Sequence, residues 1–177
     1  MSRFTIMCIA LAMIVQSANG YADSGMPADV KTKMNGLVGT WEWQQETRAT
    51  QKSEKMKSNG TWTARWIFDD LIEWRATYVT AMRSGSGVEY EGYDPIMQGY
   101  AYWFDSSGAR GRLYDGVWTG DTFHAQEIGY TTDGVEWRGR CDFAYNRQFT
   151  EVNFRCEALE DGKWWLWREG SATKVKQ

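Results

Sequence analysis

The sequence predicts an all-β chain that closes into a single antiparallel up-and-down barrel of about ten strands, with a short N-terminal helix. Three observations carry that reading. Helical periodicity is almost absent beyond residue 36. β-branched and aromatic runs recur about every 10 to 14 residues, and turn chemistry such as Asn59-Gly60, Asp69-Asp70, Ser107-Gly108, Gly120-Asp121, Asp133-Gly134 and Asp161-Gly162 separates them. The chain also holds 11 tryptophans in 177 residues, carried by strands of both halves, which suits a small barrel that fills itself or closes over an aromatic-lined pocket.

The N-terminus comes first. Residues 1–22 read as a secretory signal peptide: Arg3 supplies the positive start, Ile6 to Val15 the apolar stretch, and Ala18, Gly20 and Ala22 the small residues around cleavage. The apolar run is too short to cross a bilayer, and no other segment is apolar enough to do so. Residues 23–177 are therefore expected to form one secreted or periplasmic domain with no transmembrane segment. The formal net charge of −3 argues against a nucleic-acid partner, which would leave a basic footprint. Removal of the signal takes Cys8 and leaves Cys141 and Cys156, an even count in an oxidising compartment.

A short helix follows Pro27 and stops near Asn35-Gly36. Trp41 and Trp43 then alternate with Glu42 and Gln44, as one strand with one buried face requires. Trp62, Ala64, Trp66 and Phe68 are set against Ile72, Trp74, Ala76 and Tyr78 by a loop at Asp69-Asp70-Leu71. A two-residue Ser107-Gly108 turn pairs Asp105 with Arg110, Tyr102 with Leu113 and Tyr100 with Asp115. Tyr100, Tyr102 and Phe104 then point inward and Trp103 outward; a three-residue loop would reverse this.

The later hairpins can be paired in the same way, because turns fix register. Gly120-Asp121 sets Val117 opposite His124 and Asp115 opposite Gln126. Asp133-Gly134 sets Tyr130 opposite Trp137, Gln126 opposite Cys141 and His124 opposite Phe143. Pairing Phe143 with Phe154 puts Cys141 opposite Cys156, and the Asp161-Gly162 turn puts Trp167 beside Cys156. One face then collects Leu113, Val117, Ile128, Tyr130, Trp137, Phe143, Val152 and Phe154. The other collects Arg112, Glu127, Arg138, Arg140, Asp142, Glu151, Asn153 and Arg155. The first is the interior, since unpaired charges are rarely buried. Both cysteines lie on it, which predicts a disulfide, with two separate buried thiols as the alternative.

Certain residues then resemble a known family. Leu37-Val38-Gly39-Thr40-Trp41 resembles the entry strand of the calycin superfamily, which includes lipocalins, fatty-acid-binding proteins and nitrobindin-like barrels. Tyr93-Asp94-Pro95, Tyr100, Trp103, Asp105-Ser106, Gly116-Val117-Trp118 and Gly120-Asp121, in that order, resemble a secreted bacterial calycin-like family of unknown function. The resemblance spans roughly residues 34 to 170 and implies an antiparallel barrel with a cavity for a small apolar molecule. It does not transfer the haem site of nitrobindin-like barrels. Their histidine lies near the C-terminus, whereas the last histidine here is His124, and the C-terminal strand offers Trp164, Trp165, Trp167 and Arg168.

The expected function is binding of a small, largely apolar ligand among Trp66, Trp74, Tyr78, Tyr100, Asp115, His124, Gln126, Trp137 and Trp167. Asp115, His124 and Gln126 would orient its polar end, or else form a satisfied structural network. An enzyme acting in the same pocket, with His124 and Asp115 in proton transfer, is the alternative; no serine or cysteine nucleophile joins them. A third reading is an interaction protein or homodimer using an outer aromatic strip of Trp103, Tyr114, Trp118 and Phe123. No cofactor is expected, and one histidine with two paired cysteines gives no metal-ligand spacing.

Overall fold

The computed structural model describes residues 25–81, 84–94, 99–106, 109–130 and 136–175, with 99–106, 109–115 and 130 described through their backbone only. The expected signal peptide lies outside these residues. Among them the chain forms one helix, α1 (Ala28–Leu37), and ten strands. The strands are β1 (Gly39–Thr47), β2 (Met56–Phe68), β3 (Leu71–Thr80), β4 (Ser84–Asp94), β5 (Gly99–Ser106), β6 (Ala109–Thr119), β7 (Thr122–Tyr130), β8 (Glu136–Tyr145), β9 (Glu151–Glu160) and β10 (Lys163–Lys174). Each pairs antiparallel with the next, and β1 pairs with β10, so the sheet closes on itself and no edge remains. The all-β up-and-down fold expected from the turn spacing is the fold observed.

Five of the expected cross-strand pairs hold. Tyr102 lies opposite Leu113, Asp105 opposite Arg110, Val117 opposite His124, Phe143 opposite Phe154 and Cys141 opposite Cys156. A disulfide joins Cys141 to Cys156. Trp62, Ala64 and Trp66 share the inner face with Ile72, Trp74 and Ala76, but a bulge between Trp66 and Phe68 leaves Phe68 68% exposed.

Two local irregularities overturn the expected faces of β6 and β7. Tyr130 pairs with Glu136, not Trp137, so the 131–135 connection has an odd number of residues where a two-residue turn needs an even one. That one-residue slip carries every β7 side chain to the other face. Phe123, Ala125 and Glu127 take the inner positions, opposite Phe143, Cys141 and Gly139, while His124 and Gln126 stand on the outer face, opposite Asp142 and Arg140. A bulge between Tyr114 and Val117 accommodates the change in β6: Tyr100 pairs with Gly116 rather than Asp115, and Tyr114 rather than Asp115 lies opposite Gln126. Downstream of it Val117 is exposed and Trp118 packs against the core. The expected outer strip therefore loses Trp118 and Phe123 to the interior; the side chains of Trp103 and Tyr114 lie outside the described set.

Helix α1 closes one end of the barrel. Met34 and Leu37 are fully buried over Trp41, whose Nε1 donates to Leu37 O at 2.9 Å. Trp66 Nε1 donates to Asn35 Oδ1 at 2.9 Å, Lys174 Nζ to Gly36 O at 2.7 Å, and Lys31 Nζ to Asp69 O. The β8–β9 turn completes the plug. Phe149 takes a left-handed backbone (φ 52°), which a non-glycine residue rarely adopts. Asn146 holds that turn by accepting from Thr150 N at 2.9 Å, and the Phe149 ring stacks on Tyr145 with centroids 5.2 Å apart. A Cβ on Gly36 would stand 2.6 Å from Phe149 Cγ, so glycine lets the helix settle onto the ring.

Candidate functional site in the barrel interior

Above the plug, an aromatic layer crosses the barrel. Trp43 stacks on Trp62 (5.6 Å), Trp62 meets Trp74 edge-on (6.4 Å) and Phe154 (5.6 Å), and Phe154 meets Phe143 (6.0 Å). Beyond it, toward the end opposite α1, inner-face side chains retain exposure. Tyr78, Trp137, Trp165 and Trp167 are half-buried there, whereas Met34, Leu37 and Trp41 at the plug are sealed. Trp137 lies flat along the wall over Gly129 and Gly139, where a Cβ would collide with the indole. It meets Trp167 edge-on at 5.9 Å.

Polar groups also stand on the inner face, Glu91 on the α1 side opposite Ile72 and Glu127 and Arg168 toward the other end. Glu91 is 5% exposed and accepts a hydrogen bond from Trp74 Nε1 at 3.0 Å. Burial, reinforced by the nearby Glu89, pushes its carboxyl up to about 7. Glu127 is raised as well by burial, opposed by Arg168, whose Nη2 lies 4.0 Å from Glu127 Oε1. Arg168 enters the interior through a bulge between Leu166 and Arg168, and stands opposite Cys156 where Trp167 was expected. Its Nη2 donates to Cys156 Sγ at 3.1 Å and its Nε to the same sulfur at 3.3 Å. Nη2 also reaches Cys141 Sγ at 3.6 Å, and the guanidinium lies 4.8 Å from the Trp167 ring centroid. The indole N–H groups of Trp43, Trp165 and Trp167 are buried with no hydrogen-bond partner among the described residues.

The residues expected to bind ligand therefore separate. Trp137, Trp167 and Tyr78 face the half-open interior, and Trp74 lies in the aromatic layer beneath. Trp66 belongs to the plug, hydrogen-bonded to Asn35 under the Lys31 ammonium. His124 lies outside, with Nδ1 2.7 Å from Asp142 Oδ1, and Gln126 is exposed. Asp115 falls within the β6 bulge and Tyr100 opposite Gly116; their side chains lie outside the described set. The structure thus takes His124 and Gln126 out of the expected inner polar group. Glu91, Glu127 and Arg168 stand inside instead. Sequence reasoning missed them because acidic residues at alternate strand positions read as a solvent face. Gly129 and Gly139 were the available signal: small residues on one face of β7 and β8 leave room for a large ring beside Glu127.

Among the described residues, no helix is long and apolar enough to cross a membrane, and no group of three or more His, Cys, Asp and Glu side chains is placed to hold a metal.

No protein-family model matches the chain. No curated protein matches it by sequence. Solved structures match its fold. The crystal structure of Rv2717c from M. tuberculosis superposes with a TM-score of 0.60 at 9% identity, covering 82% of this chain and 96% of that one. A redesigned β-barrel, mFAP1, bound to DFHBI matches with a TM-score of 0.44 at 14% identity, covering 80% of this chain and 98% of that one. EF1p2_mFAP2b bound to DFHBI gives 0.45 at 12% identity, over 82% and 98%. The likeness to Rv2717c extends to the fold alone.

Proposed function

We propose that the barrel binds a small, largely apolar molecule among Tyr78, Trp137, Trp165 and Trp167, at the end away from α1. We further propose that it does so outside the cytoplasm, secreted or periplasmic. One observation carries the binding reading: the inward-facing rings Tyr78, Trp137, Trp165 and Trp167 all keep partial exposure at this end, while under α1 Met34, Leu37 and Trp41 are sealed and the Trp66 indole is tied to the helix through Asn35. Large rings around a space with a few polar atoms are what a small-molecule site requires. Two of those rings, Trp165 and Trp167, bring buried N–H donors that the described residues leave unsatisfied, and such donors normally find an acceptor. The Cys141–Cys156 disulfide and the signal-like residues 1–22 support export.

The test is titration of the oxidised protein with apolar probes: fatty acids, retinoids and small aromatics. Binding should change tryptophan emission saturably and raise the melting temperature, because only the folded form binds. Trp137→Ala should weaken that binding. A titration in which neither signal moves across the panel rejects the reading.

A further inference from the structure

The wall formed by β8, β9 and β10 is rich in donors and poor in acceptors. Arg168 is the centre of it. Its side chain is 21% exposed, inside a barrel of tryptophan and phenylalanine rings. A guanidinium carries five N–H donors and stays charged, and a charge taken out of water is costly unless it is paired. Yet its hydrogen bonds run to the two sulfurs of the Cys141–Cys156 disulfide, which are weak acceptors. Glu127, at 4.0 Å, is beyond hydrogen-bond reach, and Glu91 is engaged by Trp74. The indole of Trp167 lies against the same guanidinium and that of Trp165 is two residues away on the strand, each with an unsatisfied N–H.

The disulfide makes this a built site. It fixes the sulfurs against one edge of the guanidinium, and the bulge at Leu166/Arg168 brings Trp167 and Arg168 toward the same interior. What the cluster lacks is an acceptor with two oxygens. A carboxylate supplies them, at a spacing that matches the guanidinium fork. We propose that Arg168 anchors the carboxylate of an apolar carboxylic acid, with the Trp167 N–H as a further donor and the aromatic lining holding the hydrocarbon. This rests on the reading of the interior as an apolar-ligand site and adds the headgroup to it. Glu127, 4.0 Å away, is the nearby acceptor among the described residues and competes with that carboxylate for Arg168.

Decanoate, decanol and decylamine share one chain length and differ in headgroup, so they separate the two claims. They are titrated at pH 8, below their micelle concentrations, into the oxidised protein, with tryptophan emission and melting temperature as readouts. Decanoate should bind roughly tenfold or more tighter than decanol, the scale of a charge-assisted hydrogen bond, and decylamine should bind most weakly. Arg168→Met, which keeps an unbranched apolar stem without charge, should bring decanoate and decanol to equal affinity. Glu127→Gln should tighten decanoate and leave decanol unchanged. Equal binding of decanoate and decanol by the unaltered protein overturns the Arg168 anchor and leaves the apolar site standing. A decanoate preference that survives in Arg168→Met also overturns it. Binding of none of the three overturns both claims. The comparison in the unaltered protein needs no variant to fold, and Arg168→Lys, which keeps charge but loses the fork, should give an intermediate preference.

Discussion

The two ends of this barrel are built from the same residue types and behave differently. At the α1 end Trp41 donates to Leu37 O and Trp66 to Asn35 Oδ1, while Lys174 fastens the helix C-terminus. At the other end Trp165 and Trp167 keep buried N–H groups without partners among the described residues, and an arginine rests on a disulfide. Tryptophan content alone cannot tell a plug from a pocket. The indole N–H and the exposure of its ring have to be read together. Trp43 in the closed layer also lacks a partner among the described residues, and Trp165 and Trp167 differ from it in standing at the half-open wall.

The largest test of that contrast is stability. Trp41→Ala removes a ring that is 1% exposed and a hydrogen bond to the helix, and should cost about 3 to 5 kcal/mol in denaturant unfolding. Trp137→Ala should cost clearly less, because that ring is only half-buried and lies along the wall. Equal losses would mean both ends are core. The disulfide comes next. It closes a loop of sequence separation 15, so replacing both cysteines with alanine should cost about 3 kcal/mol. The same double variant should lose the decanoate preference, since it unseats Arg168.

Much of the fold was legible in the sequence though the contrast between its ends was not, and what was missed has a definite cause. Turn dipeptides gave the strand count, with a sandwich or a closed barrel as the outcomes, and the Cys141–Cys156 pairing, because β8 and β9 run without bulge between those turns. The face of β7 was not legible. It depended on whether 131–135 held an odd or even number of residues, and one residue moved His124 out and Glu127 in. The bulge in β10 was hidden because an extra residue other than glycine leaves no compositional mark, whereas Gly116 within the β6 bulge was such a mark, which the turn pairing treats as part of a regular strand. Tyr78, Trp137 and Trp167 therefore stand inside, where the turns put them, whereas Trp66 belongs to the plug and His124 and Gln126 stand outside.

A pH series sharpens the account of the interior charges. The Glu91 carboxyl rises from 4.5 to about 7 on folding, so between those values the folded state binds more protons than the unfolded one. Stability should then fall as pH rises from about 5 to 8, and Glu91→Gln should remove that part of the fall, on the order of 2 kcal/mol, because glutamine stays neutral. Parallel stability-versus-pH curves for the two proteins would contradict the buried carboxyl. The smallest expected effect is outside the barrel. His124 and Asp142 are paired across exposed positions, so His124→Ala should change stability by less than about 1 kcal/mol and should not change probe affinity. A large loss of binding would return His124 to the interior.

The most direct measurement follows the indole N–H signals in a proton–nitrogen NMR spectrum while decanoate is added. The chain has 11 tryptophans, each with one such signal. The signals of Trp165 and Trp167 should move saturably as their N–H groups meet the ligand end of the barrel, and those of Trp41 and Trp66 should stay in place. Movement of Trp41 and Trp66 with Trp165 and Trp167 stationary, or no movement of any signal, would contradict the claim that one end is core and the other a binding site.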